Sequence, residues 1–155
     1  MIAKEFEEFL LAHLENYLTP EEELAIFIDS HNVSHVMLLL TNNGFSRVPV
    51  MTKDKHYVGT ISMSDIIQYQ KEHDLTEMEL ADLDISLMVN KKLPTIAFDA
   101  DLTEVMHKLV DASFLPVLTN DQLFLGIITR KSILKAINSL LHDFNRFYEI
   151  QPKED

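Results

Sequence analysis

The chain has 155 residues, 46% apolar and 25% charged, with 13 basic side chains against 25 acidic ones for a formal net charge of −12. At about 100–200 residues per domain this is one compact domain or two small units sharing a core. Its acidity argues against nucleic acid and anionic membrane surfaces as partners, since both are held through Lys and Arg. The absence of cysteine, with only three glycines (Gly44, Gly59 and Gly126), excludes disulfides, thiolate chemistry, cysteine-ligated zinc, the dinucleotide glycine fingerprint and the P-loop.

Taken in chain order, the first eight residues carry acid where a secretory leader would carry basic charge. No apolar run nears the roughly 20 residues of a membrane span, so a cytoplasmic setting is expected. Phe6, Phe9, Leu10, His13, Leu14, Tyr17 and Leu18 line one face of an acidic helix. Thr19-Pro20-Glu21-Glu22-Glu23 reads as a second helix start: a capping hydroxyl, Pro at the first position, and acid favoured by the helix dipole.

A duplicated pattern then begins. A short apolar strand (Leu24–Ile28, later Thr95–Phe98) is followed by a helix whose stripe is Val33, Val36, Met37, Leu40 in one copy and Leu102, Val105, Met106, Leu109 in the other. Two strands joined by a polar turn follow, and a second helix starts at Ser62 or Thr129. Pro49 and Pro116 stand 67 positions apart, as do Gly59 and Gly126. Such self-similarity resets the fold assignment. Each copy reads β-α-β-β-α, too small to cover its own sheet, so two copies are expected to stack around a shared core.

The fold class that follows is α/β in the α+β sense: two βαββα units as a pseudo-symmetric pair, with an extra N-terminal helix and an extended C-terminal one. The divisions are an N-terminal amphipathic helix over 1–18, unit one over 19–70, an acidic helical linker over 71–86, unit two over 87–141, and the helix extension and tail over 142–155. The stripe Ile133, Ile137, Leu140, Leu141, Phe144, Phe147 outlasts what one unit covers, so it is expected to meet the N-terminal helix or another subunit. Val36 and Pro49 are 13 positions apart but Val105 and Pro116 only 11, so the loop of copy two is tighter and the two pockets are not equivalent.

Hydrophobic-Pro-Val strands (Val48-Pro49-Val50, Leu115-Pro116-Val117), each followed by Gly-hydrophobic-hydrophobic-Ser/Thr entering a helix, resemble a pair of CBS domains, a Bateman module. The resemblance spans roughly Thr19 to Leu141 and is greatest to small stand-alone bacterial CBS-pair proteins, some of which bind cyclic di-AMP. It implies an adenine nucleotide (AMP, ATP or cyclic di-AMP) between the units, a homodimer, and a regulated partner protein. Carried over by residue, copy one offers Ser62 for phosphate, Asp65 for ribose, Phe45, Ser46 and Arg47 before Pro49, and Ala25 and Ile26 on the first strand. Copy two offers Thr129, but Ser132 stands where the ribose carboxylate would be.

The residues themselves support an anion site. A helix N-terminus presents unpaired N–H groups and positive dipole, and two of the three arginines, Arg47 and Arg130, lie in these motifs, with Lys131 beside the second. Arg suits bidentate phosphate contact, so Arg47, Arg130 and Lys131 are the expected phosphate-holding cations. Plainer readings stand beside this one. Ser62 to Asp65 also fits a capping box, the two arginines could be surface ion pairs, and Phe45 could be core packing. His31 and His35, at metal-ligand spacing without a third ligand, read as a solvated helix start. No metal site and no catalytic grouping is expected. The alternative function is a constitutive interaction or dimerisation module with a vacant cleft.

Overall fold

The duplicated register is carried by two small sheets. In this computed structural model, which describes residues 2–12 and 17–154, α1 (Lys4–Leu11) leads to β1 (Leu18–Pro20), β2 (Phe27–Ile28), α2 (Val33–Asn43), β3 (Val48–Met51), β4 (Tyr57–Ile61) and α3 (Met63–Glu72). A short α4 (Glu77–Ala81) precedes β5 (Ile96–Ala97), α5 (Leu102–Asp111), β6 (Phe114–Leu118), β7 (Phe124–Thr129) and α6 (Arg130–Asp143). Single 3-10 turns stand at Glu21–Glu23, Ile85–Leu87 and Phe144–Arg146. No described helix is long and apolar enough to cross a membrane.

The two units repeat in detail. Phe27 pairs with Val50 in parallel, and Ile96 with Val117. Each following hairpin carries an irregularity at the same place, between Val50 and Met51 or Val117 and Leu118. The turn residues Lys55 and Gln122 both adopt positive φ, 67° and 66°. The expected stripes bury Val33, Val36 and Leu40 in one unit and Leu102, Val105 and Leu109 in the other. Asn32, Ser62, Asp101 and Thr129 cap the four main helices by accepting a backbone N–H three residues on.

Each sheet, however, is finished by the segment that leads into the other unit. β1 lies along β7, with Thr19 opposite Ile127 and Pro20 opposite Gly126. In the first sheet the equivalent place beside β4 belongs to Asn90, whose N–H and C=O both bond Thr60, at 2.8 and 2.9 Å. The repeated glycines are explained by this exchange. A Cβ on Gly59 would stand 2.5 Å from the Asn90 carbonyl, and one on Gly126 would strike the backbone of Thr19 and Pro20. Because Thr60 turns its backbone toward Asn90, the facing Pro49 directs its ring nitrogen away from β4. On that side β2 begins only opposite Val50, so no ladder hydrogen bond is missing.

The cores follow the same exchange. Leu80, Ile85 and Met88, from the run before β5, pack with Phe27, Val36 and Ile66 of unit one. Leu10 and Tyr17, from the run before unit one, pack with Ile96, Leu109 and Leu115 of unit two. A third cluster joins the units: Met51, Leu118 and Phe124, flanked by Tyr57, Ile26 and Ile127. There the hairpins meet as near mirror images. Tyr57 N–H donates to the Gln122 carbonyl at 3.0 Å, and Phe124 N–H to the Lys55 carbonyl at 2.8 Å.

The N-terminal region departs from the sequence expectation. α1 ends at Leu11, and Leu18 lies in a strand instead of continuing a helix; His13 and Leu14 fall outside the described residues. Thr19 caps nothing. Pro20 is extended, at φ −70° and ψ 158°, before a single 3-10 turn. Pairing with β7 outweighs local helix preference, and Pro is tolerated because β1 is an edge strand. The first strands also shrink to Phe27–Ile28 and Ile96–Ala97, so Ala25 and Ile26 precede the strand. α6 does meet α1, through Phe144 against Phe6 and Phe9, at centroid separations of 4.9 and 6.4 Å.

Candidate functional site

The two closing helices, α3 and α6, each start at the end of a strand whose outer edge is finished by the exchanged run. At the first, β4 delivers Thr60 and Ser62, α3 begins with Asp65 at its third position, and Arg47 enters from the loop before β3. Asp65 Oδ2 accepts the Ser62 N–H, the Ser62 hydroxyl and Arg47 Nη1, each at 2.9 Å, and Oδ1 accepts the Asn90 amide at 3.1 Å. Arg47 Nη1 also donates to the Thr60 hydroxyl at 2.9 Å, and Nη2 to the Ser62 hydroxyl at 3.3 Å. The capping box is therefore present, with the Arg47–Asp65 ion pair built onto it.

Burial alone would raise the Asp65 carboxyl. Hydrogen bonds from Asn90 and Ser62, with the Arg47 charge, outweigh it and hold the group below the ordinary carboxylate range. Beside Arg47, burial pushes the Tyr57 phenol up to about 12, against the pull of that guanidinium. A groove of about 360 Å³ opens next to this network, lined by Arg47, Asn90, Lys92, Pro94, Asp111 and Ala112. A second groove, of about 380 Å³, shares Asn90 and Lys92 and runs along Asp65, Tyr69 and Glu72.

The start of α6 is chemically different. Thr129 caps α6, and its hydroxyl stands 2.8 Å from that of Ser132. Ile127 and Phe114 occupy the positions matching Thr60 and Arg47, so among the described residues no ionic network like that of Arg47 and Asp65 forms there. Arg130 Nε donates to the Leu109 carbonyl at 2.9 Å and Nη2 to the Val110 carbonyl at 3.1 Å. This answers the two-residue deletion. α2 ends on left-handed Gly44, with φ 65°, whereas α5 runs straight into an extended Ala112. Its last carbonyls are satisfied by a guanidinium instead of a glycine turn. Nη1 of Arg130 keeps two further donors. Among the described residues neither Arg130 nor Lys131 has an acidic partner, and both are exposed.

The sequence-derived candidates are thus divided. Ser62, Asp65 and Arg47 come together, joined by Thr60 and Asn90, which motif reading did not supply. Ala25 and Ile26 do not join them. They lie just before β2, and Ile26 packs on the cluster of Met51, Leu118 and Phe124 that joins the units. Arg47 and Arg130 are engaged by different partners and at different helix starts. Phe45 and Ser46 are exposed, while Pro49 is buried in β3. His31 Nδ1 accepts the Ile28 N–H at 3.3 Å, and its ring meets that of His35 edge-on at 5.1 Å.

Similar proteins have the same architecture. A crystal structure of CbpB from Streptococcus agalactiae is 63% identical, with a TM-score of 0.94 over 98% of this chain and 96% of that one. A crystal structure of CbpB in complex with c-di-AMP, also 63% identical, gives a TM-score of 0.86 over 94% of this chain and 97% of the other. Cyclic di-AMP receptor B of Bacillus subtilis is 22% identical over 94% of this chain and the whole of that protein. The CBS domain family matches residues 21–72 and 82–139, which correspond to the two repeated units, and the chain belongs to that family.

Proposed function

We propose that this chain is a regulatory protein that binds cyclic di-AMP, or a related adenine nucleotide, between its two units and thereby alters its contacts with a partner protein. The observation that carries this reading is the uneven charge of the two helix starts. At α3 the cation Arg47 is already neutralised by Asp65 at 2.9 Å. At α6 the Thr129 cap lies beside two cations without acidic partners among the described residues, an arrangement suited to a phosphodiester. Ile26, packed on the cluster that joins the units, and Ala25 before it would flank the base. Local cations matter more than the net charge of −12, because screening at physiological salt acts over about 8 Å. The relatives named as binding this dinucleotide support the choice of ligand.

Calorimetry with cyclic di-AMP, AMP and ATP tests the reading. Lys131→Ala and Arg130→Ala should each weaken cyclic di-AMP roughly tenfold, the loss of about 1.4 kcal/mol of charge-assisted contact. Unchanged affinity in both variants removes this helix start as the site. A melting temperature indifferent to all three nucleotides would favour the vacant-cleft interaction module instead, since a ligand that binds only the folded state must raise it.

The homodimer belongs to the same proposal. A groove of about 370 Å³ between α5 and α6 is lined by Met106, Leu109, Val110, Ile133, Leu134 and Ile137, and Val110 and Leu134 are exposed. Such a face suits a self-complementary contact. Sedimentation should show Leu134→Asp as a monomer. Its setting would be the cytoplasm.

A further inference from the structure

At the end of unit two, α1 and the end of α6 assemble five aromatic rings. Phe6 and Phe144 stand 4.9 Å apart, Phe9 and Phe147 6.3 Å, and Phe144 stacks on Tyr148 at 4.5 Å. Phe9 and Phe144 are buried, but the outer members are not. Leu141, Phe147 and Ile150 are 76%, 72% and 71% exposed, and Phe6 is 39% exposed. Leu141 lies in the last turn of α6, and Phe144 and Phe147 begin and follow the 3-10 turn over Phe144–Arg146. A contiguous apolar surface of this kind on a soluble protein marks a contact site.

Its rim specifies what fits. Over residues 2–12 and 141–154 there are three cations, Lys4, Arg146 and Lys153, against six carboxylates. Two of those cations are already held, Lys4 by Glu8 at 3.6 Å and Arg146 by Asp143 at 3.4 Å. A second copy of this face would set excess acid against excess acid. A cationic amphipathic helix would match both its greasy centre and its charged border.

We infer that the α1/α6 face docks a lysine- or arginine-rich amphipathic helix of a partner protein, with the apolar stripe on Phe147, Leu141 and Phe6 and the cations toward Glu5 and Glu8. This rests on the partner half of the proposed function and is independent of nucleotide binding.

The chain has no tryptophan, so a synthetic Lys/Leu amphipathic helix carrying one Trp reports its own binding by fluorescence. Saturable binding is expected, weakened roughly tenfold both in the Leu141→Ser/Phe147→Ser variant and in Glu5→Gln/Glu8→Gln, as for loss of interface anchors. Glu77→Gln/Glu79→Gln on α4, an equal loss of acid elsewhere, should leave it unchanged. Absence of saturation, or equal affinity in face and α4 variants, overturns the inference. So does a wild-type dimer that becomes a monomer in Leu141→Ser/Phe147→Ser, which would give the face to a second copy. The exposed glutamate variant keeps the test usable if the apolar variant misfolds. Cyclic di-AMP titration of the same proteins separates failure of the nucleotide reading from failure of this one.

Discussion

The amide of Asn90, which stands between α4 and β5, donates to the Asp65 carboxylate of unit one at 3.1 Å. Through it the run between the units is tied to the start of α3, and the Asn90 carbonyl oxygen of the side chain accepts the Lys92 N–H at 2.9 Å, fixing the turn that follows. Asn90→Ala should lower unfolding free energy by about 2 kcal/mol, the usual worth of a hydrogen bond to a charged group. Asn90→Asp should lower it further, by setting a like charge against Asp65. Urea unfolding of both variants measures this, and two midpoints equal to wild type would show the contact to be idle.

The repeated glycines should differ sharply from the unrepeated one. Gly59→Ala and Gly126→Ala drive a methyl into the exchanged backbone, and Gly126 also sits at φ 153°. Losses above about 3 kcal/mol or failure to fold are expected. Gly44→Ala meets open space and only the strain of φ 65°, about 1 kcal/mol. Three comparable melting temperatures would refute the account of the exchange.

Stability should fall in acid partly through Asp65. Its carboxyl is depressed in the folded chain, so its contribution is present above the unfolded value of about 4 and lost as pH drops through the lower, folded one. Asp65→Asn should be less stable at neutral pH and show a shallower acid limb. An acid limb as steep as that of wild type would assign the effect to other carboxylates.

At the alkaline end the sign reverses. The Tyr57 phenol is pushed up to about 12 by burial, so its contribution is complete below the unfolded value of about 10 and lost as pH rises through the folded value. Tyr57→Phe should flatten that part of the stability profile. Ultraviolet titration giving every tyrosine an ordinary pKa would contradict it.

Much of this was legible because the residues that set the repeat are chemically unforgiving. Gly59, Gly126, Pro49 and Pro116 have few substitutes where strands cross closely or a ladder ends, so their register survives in the sequence. Ser62 with Asp65, and the buried helical stripes, are local patterns and were legible for the same reason. Thr19 and Pro20 were misread because their conformation is decided by β7, more than 100 positions away. Ala25 and Ile26 precede the first strand instead of lying on it, because β2 begins only at Phe27. Asn90 carries no motif of its own; only its bridge to Thr60 shows its task. For Arg130 the sequence suggests a phosphate ligand or a surface ion pair, whereas its bonds to the Leu109 and Val110 carbonyls close α5, a duty set by the tighter loop.

The borrowed edge strands make a wish-list of half-proteins futile. A protease nick near Asp82 should leave two fragments that travel together on a sizing column, since either one alone lacks a rail of its own sheet. Parting the halves would mean unthreading both edges and breaking the Tyr57–Gln122 and Phe124–Lys55 bonds as well.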